Sequence, residues 1–210
     1  MNMIHKTQTI DRRTRKRAQK TAEILSVAQS IMEGGGSEAL TMPVLAAELD
    51  CAVGGIYRYF TNKEALITAL QIQAIASFAE RLDVSMQQCP TGLERVKVAW
   101  NAWRDFAMDE PVLHGLVDAM LSSPAEVLSD EQDAEVRSAL EPVLERVAHA
   151  LALAESQGQL SPGNTILRTH ALWAALHGVD HFRKRDRRGG PHSEQIAATL
   201  LDALLTGWGA

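Results

Sequence analysis

Cysteine is nearly absent: two of 210 residues, Cys51 and Cys89, without C-x-x-C spacing. That excludes a disulfide framework and a zinc ribbon and leaves each thiol expected as a small, buried or partly buried group. Aromatics are scarce at 5%, and β-branched residues do not cluster. No stretch alternates strictly between apolar and polar residues, so half-buried strands are not expected. The longest apolar runs, such as residues 171–176, are too short to cross a bilayer, and the opening Met1-Asn2-Met3-Ile4-His5-Lys6 leads into charge instead of a signal sequence. A cytoplasmic protein without a membrane partner is expected. Nucleophile elbow, phosphate loop and HExxH helix are all missing, which argues against an enzyme; no catalytic residue and no cofactor is assigned.

Alanine, leucine and charge are what the chain has. It is 46% apolar, a composition that favours helix, and 210 residues suffice for one large domain or for a small and a medium one. Residues 1–11 read as a disordered lead. A helix from about Arg12 carries Ile24, Leu25, Ala28, Ile31 and Met32 on one stripe and is expected to stop at Gly34-Gly35-Gly36. Thr41 suits the cap of a short helix through Leu49, with Pro43 tolerated in its first turn. Asp50-Cys51 makes a tight turn, Ala52 to Phe60 a second short helix, and Asn62 caps a longer one to about Leu82. Beyond Cys89-Pro90, longer helices are expected near 92–108, 112–121, 130–156, 164–183 and 193–207, divided by proline- and glycine-bearing breaks. Pro142 predicts a kink or a later start in the third of these.

The net charge of −5 is unevenly spread: through Lys63, nine cations face six acids, leaving −8 on the remainder. A basic end on an acidic body points to a polyanion partner at that end. The run from Arg12 to Lys20 read by itself is first of all a solvated charge run; beside the rest of the basic end it is expected to lie along phosphates or enter the minor groove.

Two short helices joined by a tight turn form a helix-turn-helix, whose second helix can enter a DNA major groove. Residues 41–60 have that shape, and the run Ile56-Tyr57-Arg58-Tyr59-Phe60-Thr61-Asn62-Lys63-Glu64-Ala65-Leu66 resembles the DNA-binding domain of the tetracycline-repressor family. The likeness is good over about residues 15–70. Farther on, Leu172-Trp173-Ala174-Ala175-Leu176-His177-Gly178 and residues 200–207 are similar to the family's last two helices. The resemblance implies an all-α protein: a helix-turn-helix DNA-binding domain of three helices over residues 12–62, then a helical bundle for ligand binding and dimerisation over 63–210. Its implied partners are double-stranded operator DNA, a second copy of the chain and a small, largely apolar effector. The implied role is a repressor released by that effector; an architectural DNA-binding protein without a ligand, or a helical enzyme, are the alternatives.

For DNA, Thr41 and Lys63 stand at helix starts suited to phosphates, Tyr57 and Tyr59 can pack their rings while their hydroxyls reach the backbone, and Arg58 can read guanine or hold a phosphate. Arg15 and Arg17 belong to the basic arm, while Val53, Gly54 and Gly55 offer only methyl or backbone approach. Ile56 and Phe60 are expected in the core. This copy departs from the family pattern at Asp50, where Gly is common, and at Ala52, which forgoes a side-chain cap. Gly54 and Gly55 soften the recognition helix by about 1 kcal/mol each.

Candidate pocket residues are Phe78, Trp100, Trp103, Phe106, His114, Met120 and Trp173. Trp173, His177, Gly178, Leu201 and Leu204 are expected at the dimer interface, and rotation of the helix after Asn62 is the expected link between effector and DNA. His177 and His181, spaced i, i+4 near Asp180 and His170, have a zinc-compatible spacing, but a packed helix pair explains them and no metal is assigned. The cations Arg183, Lys184, Arg185, Arg187 and Arg188 read as a solvated helix end.

Overall fold

The computed structural model describes residues 12–122, 129–183 and 192–209, all helix or connecting turn, with no strand among them. The expected lead, Met1–Asp11, and the cations from Lys184 to Arg188 lie outside the described residues, as does the Arg183 side chain. The helices are α1 Arg12–Ala39, α2 Met42–Glu48, α3 Val53–Tyr57, α4 Lys63–Met86, α5 Gly92–Asp109, α6 Pro111–Ser122, α7 Asp130–Ser156, α8 Thr165–Arg183 and α9 Ser193–Gly207. Two compact units result, the first ending at Leu70 and the second starting at Gln71, a division that falls inside α4.

In the first unit α1 buries Ile24, Leu25, Ala28 and Met32, the expected stripe with Ile31 at its margin. The glycine triplet does not end this helix. Only Gly36 leaves helical geometry, at φ 73°, and helical turns resume to Ala39, because a single glycine in the left-handed region kinks the chain without terminating it. Leu40, Leu45, Ile56, Phe60, Leu66 and Leu70 complete this core.

The second unit is a bundle in which α5 packs on α7, α7 on α8, and α8 on α9. One face of α5, from Val96 through Trp100 and Trp103 to Ala107, is buried. The start of α5 is held on both sides. Thr91 and Glu94 form a reciprocal cap, and Gln157 and Gln159 accept hydrogen bonds from the backbone N–H groups of Gly92 (2.8 Å) and Leu93 (3.2 Å). A Cβ on Gly92 would stand 2.1 Å from the backbone nitrogen of Ala154, so this crossing requires glycine. α7 runs unbroken through Pro142, and α4 extends one turn past the expected Leu82. Arg168 ties the start of α8 to the bundle, pairing with Glu155 at 2.7 Å and stacking 5.2 Å from the Trp208 ring centre.

Candidate nucleic-acid interface and effector cavity

α2 begins where the Thr41 hydroxyl accepts from the Val44 N–H at 3.3 Å, with Pro43 filling a first-turn position that needs no donor. The turn after it depends on Asp50, the one non-glycine residue among those described with positive φ (48°), so the residue standing where the family commonly has Gly adopts the glycine-like conformation. α3 is shorter than Ala52–Phe60: five residues, with no side-chain cap at Ala52 and a tighter turn beyond, where the Tyr59 N–H bonds the Ile56 carbonyl at 2.8 Å. Two consecutive glycines and a missing cap are the physical reason.

Ile56 is fully buried and Phe60 nearly so, which fixes the inner face of α3 and leaves Gly54, Tyr57 and Arg58 exposed, with Val53, Gly55 and Tyr59 half-buried. A Cβ at Gly54 would meet nothing within 4 Å. Arg17 of the basic arm reaches this surface: its guanidinium lies 5.2 Å from the Tyr59 ring centre and donates to the Arg58 carbonyl at 3.4 Å. Arg15, two residues nearer the chain start, is exposed, and Thr41 is exposed as well. Lys63 stands at the start of α4, as expected, and has a second contact within the domain. Half-buried, it donates to the Ser37 carbonyl at 3.1 Å and so supports the end of α1 as well as standing at the start of α4.

In the second unit Phe78, Trp100, Trp103 and Trp173 line one apolar cavity, with Val96, Leu144, Thr169 and Leu176. It measures about 50 Å³, because Phe78 and Trp103 pack edge to face at 5.1 Å and leave little room between them. Leu144, Thr169 and Trp173 are shared with a groove of about 760 Å³ between α7 and α8, whose rim carries Asp133, Arg137, Glu141, Glu145 and His170. Phe106 and His114 are not on the cavity lining. They pack against Trp103 from outside it, with ring centres at 6.2 and 4.7 Å, and the side chain of Met120 lies outside the described residues. The buried Trp100 indole nitrogen has no hydrogen-bond partner. Nothing in the sequence marks Leu144 or Thr169 as lining residues, since both fit an ordinary core pattern.

His177 is half-buried and faces Asp118 at 2.7 Å; burial pushes its imidazole below the usual value, against the opposing pull of that carboxylate. Gly178 is exposed with open space at its Cβ direction, and Leu201 and Leu204 are half-buried on α9.

Comparison with known proteins gives this arrangement its family. The profile of bacterial regulatory proteins of the tetR family matches residues 24–70, and that of the tetracyclin repressor-like C-terminal domain matches residues 96–206. The chain belongs to the tetR family. It is 29% identical to the transcriptional repressor KstR of Rhodococcus jostii over 150 residues, 65% of this chain and 68% of that one. Among solved structures, AibR in complex with isovaleryl coenzyme A and operator DNA superposes with a TM-score of 0.67 at 19% identity, covering 89% of this chain and 98% of that one. FadR of Bacillus subtilis in complex with stearoyl-CoA gives 0.69 at 16% identity, with the same coverage. As a tetR-family member the chain is a transcription regulator with a helix-turn-helix and a helical C-terminal domain. Among the described residues no helix is long and apolar enough to cross a membrane.

Proposed function

We propose that this tetR-family regulator is a homodimeric repressor whose hold on its operator is released by an amphipathic effector with a predominantly apolar body. The observation that carries the proposal is the unpartnered indole N–H of Trp100 in the wall of an otherwise apolar cavity. A buried donor without an acceptor costs about 1–3 kcal/mol, and a ligand oxygen offsets that cost. The shared walls at Leu144, Thr169 and Trp173 suggest an apolar tail entering the aromatic cavity from the groove, with its oxygen on Trp100 and its polar end at the rim. AibR and FadR, which share the fold, are seen with acyl-coenzyme A molecules; an acyl chain bearing a carbonyl has the chemistry required here.

On the DNA side, Tyr57, Arg58 and the backbone at Gly54 would face the bases. Thr41, Tyr59, Lys63, Arg15 and Arg17 would hold phosphates, Arg17 being oriented by its contacts with Tyr59 and Arg58. For dimerisation, α8 would present Ala171, Ala174 and Gly178, small enough for a second helix to approach closely, on one exposed stripe with the apolar Leu167, beside Leu201 and Leu204 of α9. α4 would transmit the signal, since Phe78 on the cavity wall and Lys63 belong to the same helix.

Fluorescence anisotropy with the DNA upstream of the chain's own gene tests this. Acyl-coenzyme A thioesters of graded length, and the matching free acids, are titrated into the complex. Release by one chain-length range, needing about tenfold more effector in Trp100→Phe, supports the reading. DNA binding indifferent to every acyl compound favours an architectural role, and no DNA binding at all contradicts both.

A further inference from the structure

Beyond the effector, the second unit brings together a set of polar groups that neither DNA binding nor the apolar cavity uses. His114 and Asp118 lie four residues apart on α6, and His177 and Asp180 three apart on α8, spacings that put each pair on one helix face. One ring nitrogen of His177 and one carboxylate oxygen each of Asp118 and Asp180 fall within 4.8 Å of one another. His114 joins them through its Nε2, 3.0 Å from Asp180 Oδ2.

Hydrogen bonding alone does not account for this cluster. His114 is 5% exposed, yet its Nε2 makes no hydrogen bond, the nearby Asp180 oxygen included, and the buried Nε2 of His177 is likewise without a partner. The Nε2 of His177 is thus removed from water without the hydrogen bond that buried polar atoms ordinarily find, and that of His114 has only the charge of Asp180 beside it. A divalent cation among these side chains would bond one nitrogen of each imidazole and one oxygen of each carboxylate. Zinc bonds nitrogen and carboxylate oxygen at about 2.0–2.2 Å, which sets tetrahedral neighbours roughly 3.3 Å apart. The separation of 3.0 Å between His114 Nε2 and Asp180 Oδ2 is of that order, and a hydrogen bond of 2.7 Å already holds His177 Nδ1 beside Asp118 Oδ1. The indole N–H of Trp103 also donates to Asp180 Oδ2 at 3.1 Å, the kind of outer hydrogen bond that orients a metal-binding carboxylate.

We propose that Asp118, His177 and Asp180, completed by His114, form a site for a first-row divalent metal of the zinc class that clamps α6 to α8. Mixed imidazole and carboxylate donors without thiolate suit zinc, nickel or cobalt better than calcium or magnesium. Neither His170 nor His181 takes part: each ring faces a backbone carbonyl of its own helix, Ile166 at 2.8 Å and His177 at 3.0 Å, and both residues are exposed. The zinc-compatible i, i+4 pair in the sequence is therefore not the site; the i, i+3 pair joined by α6 is. The clamp adjoins Trp103, whose ring lies 4.7 Å from His114 and 5.4 Å from His177 and which also lines the apolar cavity.

The full-length protein, stripped with chelator, is titrated with Zn²⁺ by calorimetry and with Co²⁺ followed by visible absorption and tryptophan fluorescence. We expect one equivalent per chain, d–d bands of a low-coordinate cobalt site, and quenching through Trp103. Asp180→Asn and His177→Gln should each weaken uptake at least tenfold, whereas the His170→Gln/His181→Gln double variant should bind like the wild type. Thermal melting should show a zinc-dependent rise in Tm for wild type and the double variant only. Failure of the folded wild-type protein to take up stoichiometric metal overturns the proposal whatever the variants do, as does loss of binding in the double variant with retention in Asp180→Asn. No DNA or acyl compound enters these measurements, so their outcome is independent of the effector reading.

Discussion

Trp100 and Gly54 show how single residues divide stability from function. Replacing Trp100 by Phe removes an orphaned donor but opens space beside the cavity, and the two effects oppose. The expected result is a change in unfolding free energy below about 1.5 kcal/mol by urea denaturation, with roughly tenfold weaker effector binding in a direct titration. Gly54→Ala should stabilise the DNA-free protein by up to about 1 kcal/mol, because a methyl there meets no neighbour and α3 gains helix propensity. The same methyl stands on the exposed face of α3, so operator affinity should fall while Tm rises; a rise in both would show that the backbone there does not approach DNA. At this scale the sequence is most readable where one residue type has one use. Asp50 in the left-handed region, the missing cap at Ala52 and the burial of Ile56 and Phe60 are visible from residue type and position. The double use of Lys63 is not, because its Ser37 partner lies 26 residues away.

Helices are legible in this chain because caps and breakers coincide with changes in hydrophobic pattern. α7 and α9 begin and end where expected, and α7 opens with a Ser129–Gln132 capping box. What one-dimensional pattern does not contain is how helices cross. Gly92 looks like an ordinary first-turn residue, yet the backbone of α7 lies against it. Gly92→Ala should therefore destabilise by about 1–3 kcal/mol, read from the urea midpoint, although alanine is the better helix former. α4 is tied to α7 by Arg146, which reaches both carboxylate oxygens of Asp83 at 2.6 and 3.0 Å. The hydrogen bond from Arg146 holds the Asp83 carboxyl below its ordinary value. A depressed folded-state value contributes stability above the unfolded carboxyl's range and loses it as pH falls through the folded value. Asp83→Asn should lower stability at neutral pH and flatten the acid limb of the stability–pH curve, and because the pair is solvent-exposed the effect should stay within about 1 kcal/mol. The Asp118 cluster is hidden from sequence for the same reason as the crossing at Gly92, its two halves lying on helices whose facing residues are 59 apart in the chain.

For the whole molecule, the proposed function joins family membership to the exposed outer face of α3: a dimer would present two recognition helices to two half-sites, and an effector would alter their match. Half-sites one helical turn apart lie about 34–36 Å from centre to centre, so a modest change in helix separation is enough to weaken binding, and a coupling of about 1–3 kcal/mol changes affinity 5–150-fold. Gly178→Arg, which places a long cation on the small-residue stripe of α8, should shift the protein toward monomer in sedimentation and weaken operator binding in parallel. The central claim, that α3 reads duplex DNA, is tested most directly by selecting bound fragments from the random-sequence pool with purified protein and repeating the selection with Tyr57→Ala/Arg58→Ala. The wild type should enrich a two-fold symmetric sequence with half-sites spaced by whole helical turns, and the folded, dimeric variant should lose that enrichment. Enrichment unchanged in the variant, or none by the wild type, would contradict that claim.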